Sequence, residues 1–220
     1  MIKMKKEKEM NFKYVDNYSE LELLVNEAVK VVKEHFKNHK LLSSHTLDHI
    51  YRVTNTALFL AQELKAAIDV VAIAAIFHDV GRPAEQETGI SHAEISAQIA
   101  ESFLNRNNLQ KMKCDVTHAI KAHRFSGNIK PETIEAQILQ DADALDALGG
   151  IGLFRAVSYA VENQKGIEAV IQHCYDKLFL LPDRMHFSIS RKMAEQRVKI
   201  LKQFVEQATK EIKTDLFFDF

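Results

Sequence analysis

An uninterrupted apolar segment that ends on a histidine and an aspartate constrains the fold of this chain most strongly. Residues 70–77 are all hydrophobic, so a helix formed by them is apolar on every side and belongs in the interior. His78 and Asp79 follow directly, which predicts a buried or nearly buried carboxylate. A buried charge is costly unless a cation neutralises it. The sequence therefore predicts that Asp79 meets a metal ion or the guanidinium group of Arg82, the first cation after it.

Apolar residues recur at helical spacing along almost the whole chain. The pattern predicts eight helices, near residues 21–36, 50–64, 70–77, 91–104, 112–123, 131–145, 151–161 and 190–213. Asp69 and Gly81 suit the start and the end of the third helix, and Pro131 suits the first turn of the sixth. No alternating pattern typical of strands, no internal repeat and no low-complexity linker occurs. We therefore predict an all-α fold, an irregular multi-helix bundle.

We expect a single domain over residues 18–220, after a flexible, lysine-rich tail at residues 1–17. The net charge of -1 provides no global field that selects nucleic acid or an anionic membrane. Cys114 and Cys174 are far apart, so neither a disulfide scaffold nor a cysteine-based zinc site is expected. No run is apolar for long enough to span a bilayer and no signal-peptide pattern occurs, so the predicted location is the cytoplasm.

Histidines and carboxylates occur on or beside the sides of the predicted helices that face the core. His49 lies beside the apolar stripe of the second helix, and Asp143 lies beside a core alanine of the sixth. Together with His78 and Asp79 they offer imidazole and carboxylate without thiolate, a donor set typical of catalytic rather than structural metal sites. A histidine on an apolar face is also commonly a structural residue that hydrogen-bonds within the core. The residues by themselves leave both interpretations open.

Three short motifs carry a resemblance to a known family. They are His-x-x-Arg-Val at residues 49–53, Ala-Ile-Phe-His-Asp-Val-Gly at residues 75–81 and Asp-Ala-Asp-x-Leu-Asp at residues 141–146. This order resembles the HD-domain superfamily of metal-dependent phosphohydrolases. A bacterial subgroup of HD-domain proteins is also similar at three segments, residues 122–126, 138–143 and 181–186. The resemblance implies an all-helical fold and one bound divalent ion, Mn²⁺, Mg²⁺, Fe²⁺, Co²⁺ or Ni²⁺. The implied ligands are His49, His78, Asp79 and Asp143.

Two further histidines determine how many ions the resemblance allows. His92 and His123 resemble the histidines of a second site in two-metal HD phosphodiesterases, in which Asp79 would bridge both ions. The match is incomplete, because Ala122 and Arg124 flank His123 where the cyclic-dinucleotide enzymes have a second histidine. The Gly-Tyr-Pro signature of those enzymes is missing as well. The alternatives are a polar helix-start residue for His92 and a core histidine for His123.

The resemblance also implies a chemistry. Asp79 and Arg82 are the predicted catalytic residues, and Arg82 is also predicted to bind a phosphate of a small phosphorylated substrate, expected to be a nucleotide. A metal-activated water would hydrolyse a phosphomonoester or a phosphodiester. Other cations that could line the same substrate site are Lys121, Arg124, Arg184 and Arg191. Carboxylates that could orient the ligand histidines are Asp48, Asp141 and Asp146.

Two other functions stay open at this point. A di-iron HD-type oxygenase would use ligands like His49, His92 and His123 to activate oxygen. A non-catalytic HD module would bind a nucleotide without turnover. The amphipathic terminal helices also allow a homodimer, although one domain can bury their apolar faces by itself.

Overall fold

Helices make up the regular structure of this chain. The computed structural model describes residues 19–37, 47–125 and 127–215, and the predicted tail at residues 1–17 lies outside them. The described residues form eleven α-helices and two short 3-10 helices, with no strand. The α-helices are α1 (Ser19–Lys37), α2 (Leu47–Leu64), α3 (Ile68–Phe77), α4 (Arg82–Thr88), α5 (His92–Arg106), α6 (Lys113–Ala122), α7 (Ile134–Asp146), α8 (Gly149–Glu162), α9 (Ile167–Asp176), α10 (Leu181–Arg184) and α11 (Ser188–Asp215). The 3-10 helices are Gln110–Met112 and Leu178–Leu180.

Helix α3 lies at the centre of the bundle, and every residue from 70 to 77 is buried. Because this helix is apolar on all sides, its different faces pack against α1, α2, α5, α6 and α7. Phe77, at its end, packs on Phe103 of α5 with ring centroids 5.1 Å apart. One continuous hydrophobic core joins these helices to α11. The predicted all-α bundle with an interior third helix is confirmed.

The predicted caps of α3 are wrong in detail. Ala67 is the N-cap residue, and Asp69 lies one position inside the helix. The helix ends at Phe77 with His78 as its C-cap, and Gly81 instead precedes α4 as its N-cap. The requirement for glycine at residue 81 is close packing, because a Cβ atom there would lie 2.6 Å from the backbone oxygen of His92. The glycine therefore marks a contact between elements and not the end of a helix.

Other boundaries also differ from the sequence pattern. Helix α7 begins at Ile134, and the hydroxyl of its N-cap Thr133 accepts a hydrogen bond from the Ala136 N–H at 3.2 Å, so Pro131 lies before the helix. Three short helices, α4, α9 and α10, were not predicted. Helices α4 and α10 are too short for a repeating apolar stripe to stand out. Helix α9 is long enough, and its stripe of Val170, Ile171 and Cys174 is a helical signal that the sequence analysis missed.

A second group of helices packs beside α7. Helix α11 contacts α7, α8, α9 and α10. A bend of 72° between α7 and α8 occurs next to Gly149, whose φ of 73° is a conformation that glycine adopts without strain. Within the described ranges, no single helix is both long and apolar enough to cross a membrane; α7 and α8 pass that test only as a bent pair.

Candidate metal centre

Four histidine rings surround the carboxylate of Asp79. Asp79 is 1% exposed, and all four imidazoles are buried. Its Oδ2 lies 3.5 Å from Nε2 of His49 and 3.7 Å from Nε2 of His78. Its Oδ1 lies 3.3 Å from Nε2 of His92 and 3.6 Å from Nε2 of His123. Each carboxylate oxygen thus faces a pair of imidazole nitrogens.

Helix ends bring these groups together. His49 lies in the first turn of α2, and His78 and Asp79 follow the last residue of α3. His92 begins α5, and His123 caps the end of α6. The Nε2 atoms of His49 and His78 are 3.3 Å apart, and those of His92 and His123 are 3.4 Å apart. The convergence is therefore a property of how four helices pack.

Backbone carbonyls fix the orientation of two of the rings. Nδ1 of His78 lies 2.7 Å from the carbonyl oxygen of Ala75, and Nδ1 of His123 lies 2.6 Å from that of Ile120. A carbonyl oxygen only accepts hydrogen bonds, so each Nδ1 carries the proton. When such a ring is neutral, its Nε2 presents a lone pair toward Asp79.

Two carboxylates hold the other two rings. Nδ1 of His92 lies 2.9 Å from Oε2 of Glu85, and Oε1 of Glu85 accepts the backbone N–H of His92 at 3.0 Å. Nδ1 of His49 lies 2.7 Å from Oδ2 of Asp146. Asp146 in turn accepts hydrogen bonds of 2.7 to 2.9 Å from Arg52 and Arg155. A carboxylate behind an imidazole is the arrangement that orients metal-binding histidines in proteins.

Asp143, in the last turn of α7, adds a third carboxylate beside His49. Its Oδ1 lies 3.4 Å from Nε2 of His49, and its side chain is 26% exposed. Burial alone would lower the pKa of His49, but hydrogen bonds to Asp143, Asp146 and Asp79 raise it to about 10. His49 is therefore protonated here, and its charge compensates the carboxylates around it. A divalent cation would supply the same compensation.

The donor atoms fit metal ions on both sides of Asp79. Burial lowers the pKa of His78 and that of His92 to about 4, so both rings are neutral at neutral pH. Two groups offer three ligand atoms within 4.8 Å of one another: His49 with His78 and Asp79, and Asp79 with His92 and His123. Imidazole nitrogen and carboxylate oxygen are donors that first-row divalent ions accept readily. Each group could hold one ion.

Arg82 lies against the same carboxylate. Its Nε is 2.8 Å from Oδ2 of Asp79, and its side chain is 26% exposed. The sequence predicted a metal ion or Arg82 as the partner of Asp79, and the structure places Arg82 against this carboxylate. Because Arg82 also lines the neighbouring cavity, it stands at the boundary between the four histidines and open space.

A cavity of about 440 Å³ opens beside Asp143 and Arg82. Asp143 is the one carboxylate among the described residues that line it. The basic residues in its wall are Arg82, Arg124, Arg155, Lys165 and Lys177. Small side chains of α8 and α9, including Ala156, Ala160 and Ala169, form another part of the wall. The volume is that of a small-molecule pocket, and the charge favours an anion.

The remaining candidate carboxylates have different surroundings. Asp146 contacts His49, as described above, whereas Asp48 is exposed on α2. Asp141 is buried and accepts two backbone N–H groups just before α11, at 3.0 and 3.2 Å. It therefore anchors the chain at the beginning of α11 and does not orient a histidine of the centre.

The four additional candidate cations also lie in different surroundings, and one of them lines the cavity. Arg124 lines the cavity. Lys121 instead forms an ion pair with Glu94 at 3.0 Å. Arg184 and Arg191 are exposed and take no part in the cavity wall.

Several charged residues at the centre or the cavity were not predicted. Glu85 lies seven residues before His92, a local spacing that could have suggested their contact. Arg155, Lys165 and Lys177 have no comparable signal, because the packing of α8 against α7 and of α9 against α8 brings them to the cavity.

Known sequences are similar to most of this chain. The family model of the HD domain matches residues 46–148. Protein YpgQ of Bacillus subtilis is 30% identical over 175 residues, which cover 77% of this chain and 85% of that protein. A ribonuclease Y of Syntrophomonas wolfei is 31% identical over 149 residues, which cover 66% of this chain but 27% of the ribonuclease.

Solved structures share the fold. A predicted HD superfamily hydrolase from an uncultured Thermotogales bacterium has a TM-score of 0.65 and 31% identity, covering 84% of this chain and 91% of that one. Bacillus subtilis YpgQ, crystallised in complex with ADP, has a TM-score of 0.70 and 25% identity, covering 86% of this chain and 97% of that one. The resemblance seen in the sequence motifs is confirmed. The chain belongs to the HD-domain superfamily.

Proposed function

We propose that this chain is a metal-dependent phosphohydrolase that acts on a nucleotide or another small phosphorylated metabolite, as a phosphomonoesterase or a phosphodiesterase. Membership in the HD-domain superfamily supports the general reaction class. The observation that carries the proposal is the carboxylate of Asp79. Its two oxygens each face a pair of buried imidazole nitrogens, beside a cavity rich in cations.

The proposed ligands form two sets that share Asp79. The first set is His49, His78, Asp79 and Asp143, and the second is Asp79, His92 and His123. Divalent ions bound there would lower the pKa of a water molecule toward about 7 and offset the charge of a phosphate. Imidazole nitrogens are two of the four donors of the first set and two of the three donors of the second, which favours Mn²⁺, Fe²⁺, Co²⁺ or Ni²⁺ over Mg²⁺.

Arg82 is the proposed phosphate-binding residue nearest the metal ligands. Its contact with Asp79 holds the guanidinium group where the centre opens into the cavity. A planar guanidinium can donate two parallel hydrogen bonds to phosphate oxygens. Arg82 would therefore hold the phosphate that reacts, while Asp79 stays in place between the histidines.

The rest of the cavity suits a nucleoside phosphate. Lys177 lines the cavity, where burial and the nearby guanidinium groups of Arg124 and Arg155 lower the pKa of its ammonium group, although Asp143 opposes this shift. A polyanion would relieve the repulsion among these cations. The small side chains of α8 and α9 leave room for a flat ring. ADP, found with the related YpgQ, combines both features.

The two alternative functions predict different observations. A di-iron oxygenase would contain two irons, would be coloured and would consume oxygen with an organic substrate. A nucleotide sensor would bind its ligand without releasing phosphate. The excess of cations around the cavity favours a phosphorylated ligand over a neutral oxygenase substrate.

Elemental analysis of the protein as isolated, combined with a hydrolysis screen, tests the proposal. The screen uses Mn²⁺, Mg²⁺, Fe²⁺, Co²⁺ and Ni²⁺ with ADP, p-nitrophenyl phosphate, bis-p-nitrophenyl phosphate and a short RNA. The RNA is included because of the similarity to ribonuclease Y. We expect bound divalent metal and turnover of a small phosphorylated substrate. Failure to hydrolyse any of these compounds with any metal would contradict the proposal.

A further inference from the structure

Three motifs, at residues 122–126, 138–143 and 181–186, each bring a residue that is not a proposed metal ligand to one place. Gln140, buried in α7, donates a hydrogen bond from Nε2 to the carbonyl oxygen of Ala122, 2.9 Å away at the end of α6. His186, just before α11, lies with Nε2 2.6 Å from Oε1 of the same Gln140 side chain. One amide side chain thus connects the end of α6 to the beginning of α11.

The hydrogen-bonding capacity of these groups fixes their orientation. The carbonyl of Ala122 can only accept, so the amide of Gln140 must turn its NH₂ group toward α6 and its oxygen toward His186. That oxygen needs a donor, so Nε2 of His186 carries a proton. The backbone of His186 is held as well, because its N–H donates to Oδ1 of buried Asp141 at 3.0 Å. His186 is therefore held through its ring by Gln140 and through its backbone by Asp141.

The ring of His186 packs on Phe125. The two rings are nearly parallel, with an interplanar angle of 11° and centroids 5.9 Å apart. Phe125 and the preceding Arg124 line the cavity, whereas His186 is exposed and does not. Phe125 therefore lies between the cavity and His186. If the ring of His186 moves, Phe125 loses its support and the cavity wall changes.

We infer that His186 and Gln140 are positioning residues that hold residues 124–125 in the conformation which lines the cavity. Gln140 fixes the backbone before this segment through Ala122, and His186 supports Phe125 from outside. The effect on ligand affinity rests on the proposed function, because it assumes that the cavity binds a nucleotide. The effect on the segment itself does not depend on that assumption.

Hydrogen–deuterium exchange of the full chain, loaded with Mn²⁺, tests the position of the segment. In the His186→Ala variant, we expect peptides that cover residues 121–130 to exchange about tenfold faster, because a stacked ring and a hydrogen bond are lost. Peptides from α5 and α8 should not change. The His186→Phe variant keeps an aromatic ring beside Phe125 and should retain more protection than His186→Ala. Asp183→Ala, at an exposed residue of α10, is the matched control.

Wild-type exchange at residues 121–130 in His186→Ala, or changes confined to α10 and α11, would overturn the inference.

Binding of ADP, measured by calorimetry, is the second readout. We expect His186→Ala to weaken it several-fold, and Phe125→Ala combined with His186→Ala to bind no more weakly than Phe125→Ala alone. Additive losses would overturn the positioning role. If the wild type binds no ADP, the nucleotide proposal fails, and the exchange result still decides the role of His186.

Discussion

At the scale of single residues, the metal centre depends on hydrogen bonds that orient each imidazole ring through its Nδ1 atom. Each of the four imidazoles has an Nδ1 partner, which leaves Nε2 directed at Asp79. Two partners are carbonyls of the helix that the histidine ends, and two are the carboxylates of Glu85 and Asp146. A side-chain carboxylate can be replaced by mutation, whereas a backbone carbonyl cannot. Variants of Glu85 and Asp146 therefore test the two sides of Asp79 separately.

Replacing Asp79 by Ala is predicted to abolish both metal retention and turnover. The change removes the carboxylate that both ligand sets share and deprives Arg82 of its ion-pair partner. Elemental analysis after dialysis and an assay of phosphate release measure the two effects. Asp48→Ala, at an exposed position of α2, should retain both. Turnover by the Asp79→Ala protein would show that the role given to Asp79 is wrong.

Glu85→Gln and Asp146→Asn are predicted to weaken different metal sites. Glu85 orients His92, and Asp146 orients His49, so each variant should reduce affinity on its own side of Asp79 by about 10- to 100-fold. Titration against a chromophoric chelator resolves the two binding steps. Glu94→Gln, which affects only the half-buried ion pair with Lys121 of α6, is the control. An equal loss of both steps in either variant would contradict two separate sites.

Lys177→Met is predicted to raise the KM for a nucleotide about tenfold while the metal content stays unchanged. The variant keeps the aliphatic side chain but removes one charge from the cavity, and loss of one charged contact has about this effect on binding. Steady-state kinetics and elemental analysis measure the two quantities. Lys199→Met, at an exposed position of α11, should behave as wild type. An unchanged KM would exclude Lys177 from the substrate site.

At the scale of helices, the turn after α3 approaches the start of α5 closely enough to place Asp79 beside His92. A Cβ atom at Gly81 would lie 2.6 Å from the backbone oxygen of His92 and 2.9 Å from the backbone nitrogen of Ser96. The Gly81 N–H also donates to the Ser96 hydroxyl at 2.9 Å. Glycine at this position therefore allows two backbone segments to meet.

Gly81→Ala is predicted to lower the free energy of unfolding by about 1–3 kcal/mol, because the methyl group forces the turn away from α5. Metal affinity should fall as well, since Asp79 moves relative to His92. Urea denaturation and a metal titration measure both effects. In Gly150→Ala, at a site with open space around the new Cβ atom, stability should change by less than about 1 kcal/mol. Equal stability of the two variants would contradict the close approach.

At the scale of the whole molecule, the proposed metal ligands connect elements that are distant in the chain. They come from α2, α5 and α7 and from the residues that follow α3 and α6. Ions bound between these elements would stabilise the native state and not the unfolded chain, in which the ligands are far apart.

Removal of metal with a chelator is therefore predicted to lower the melting temperature. With free metal at 100 times its dissociation constant, the stabilisation is about 2.7 kcal/mol, or roughly 5–10 °C for a chain of this length. Scanning calorimetry with Mn²⁺ and with EDTA measures the difference. The Asp79→Ala variant should show none. Equal melting temperatures of the wild type under both conditions would contradict metal binding by the folded protein.

The sequence alone determined the helical class, the interior position of α3 and the family, because these depend on local periodicity and short motifs. It also pointed to His49, His78, Asp79 and Asp143 as candidate ligands. Only the tertiary structure decided that Asp79 faces imidazoles on both sides, that α8 and α9 bring cations to the cavity, and that His186 supports Phe125. These contacts join residues far apart in the chain, and their distances depend on helix packing, which no local pattern encodes.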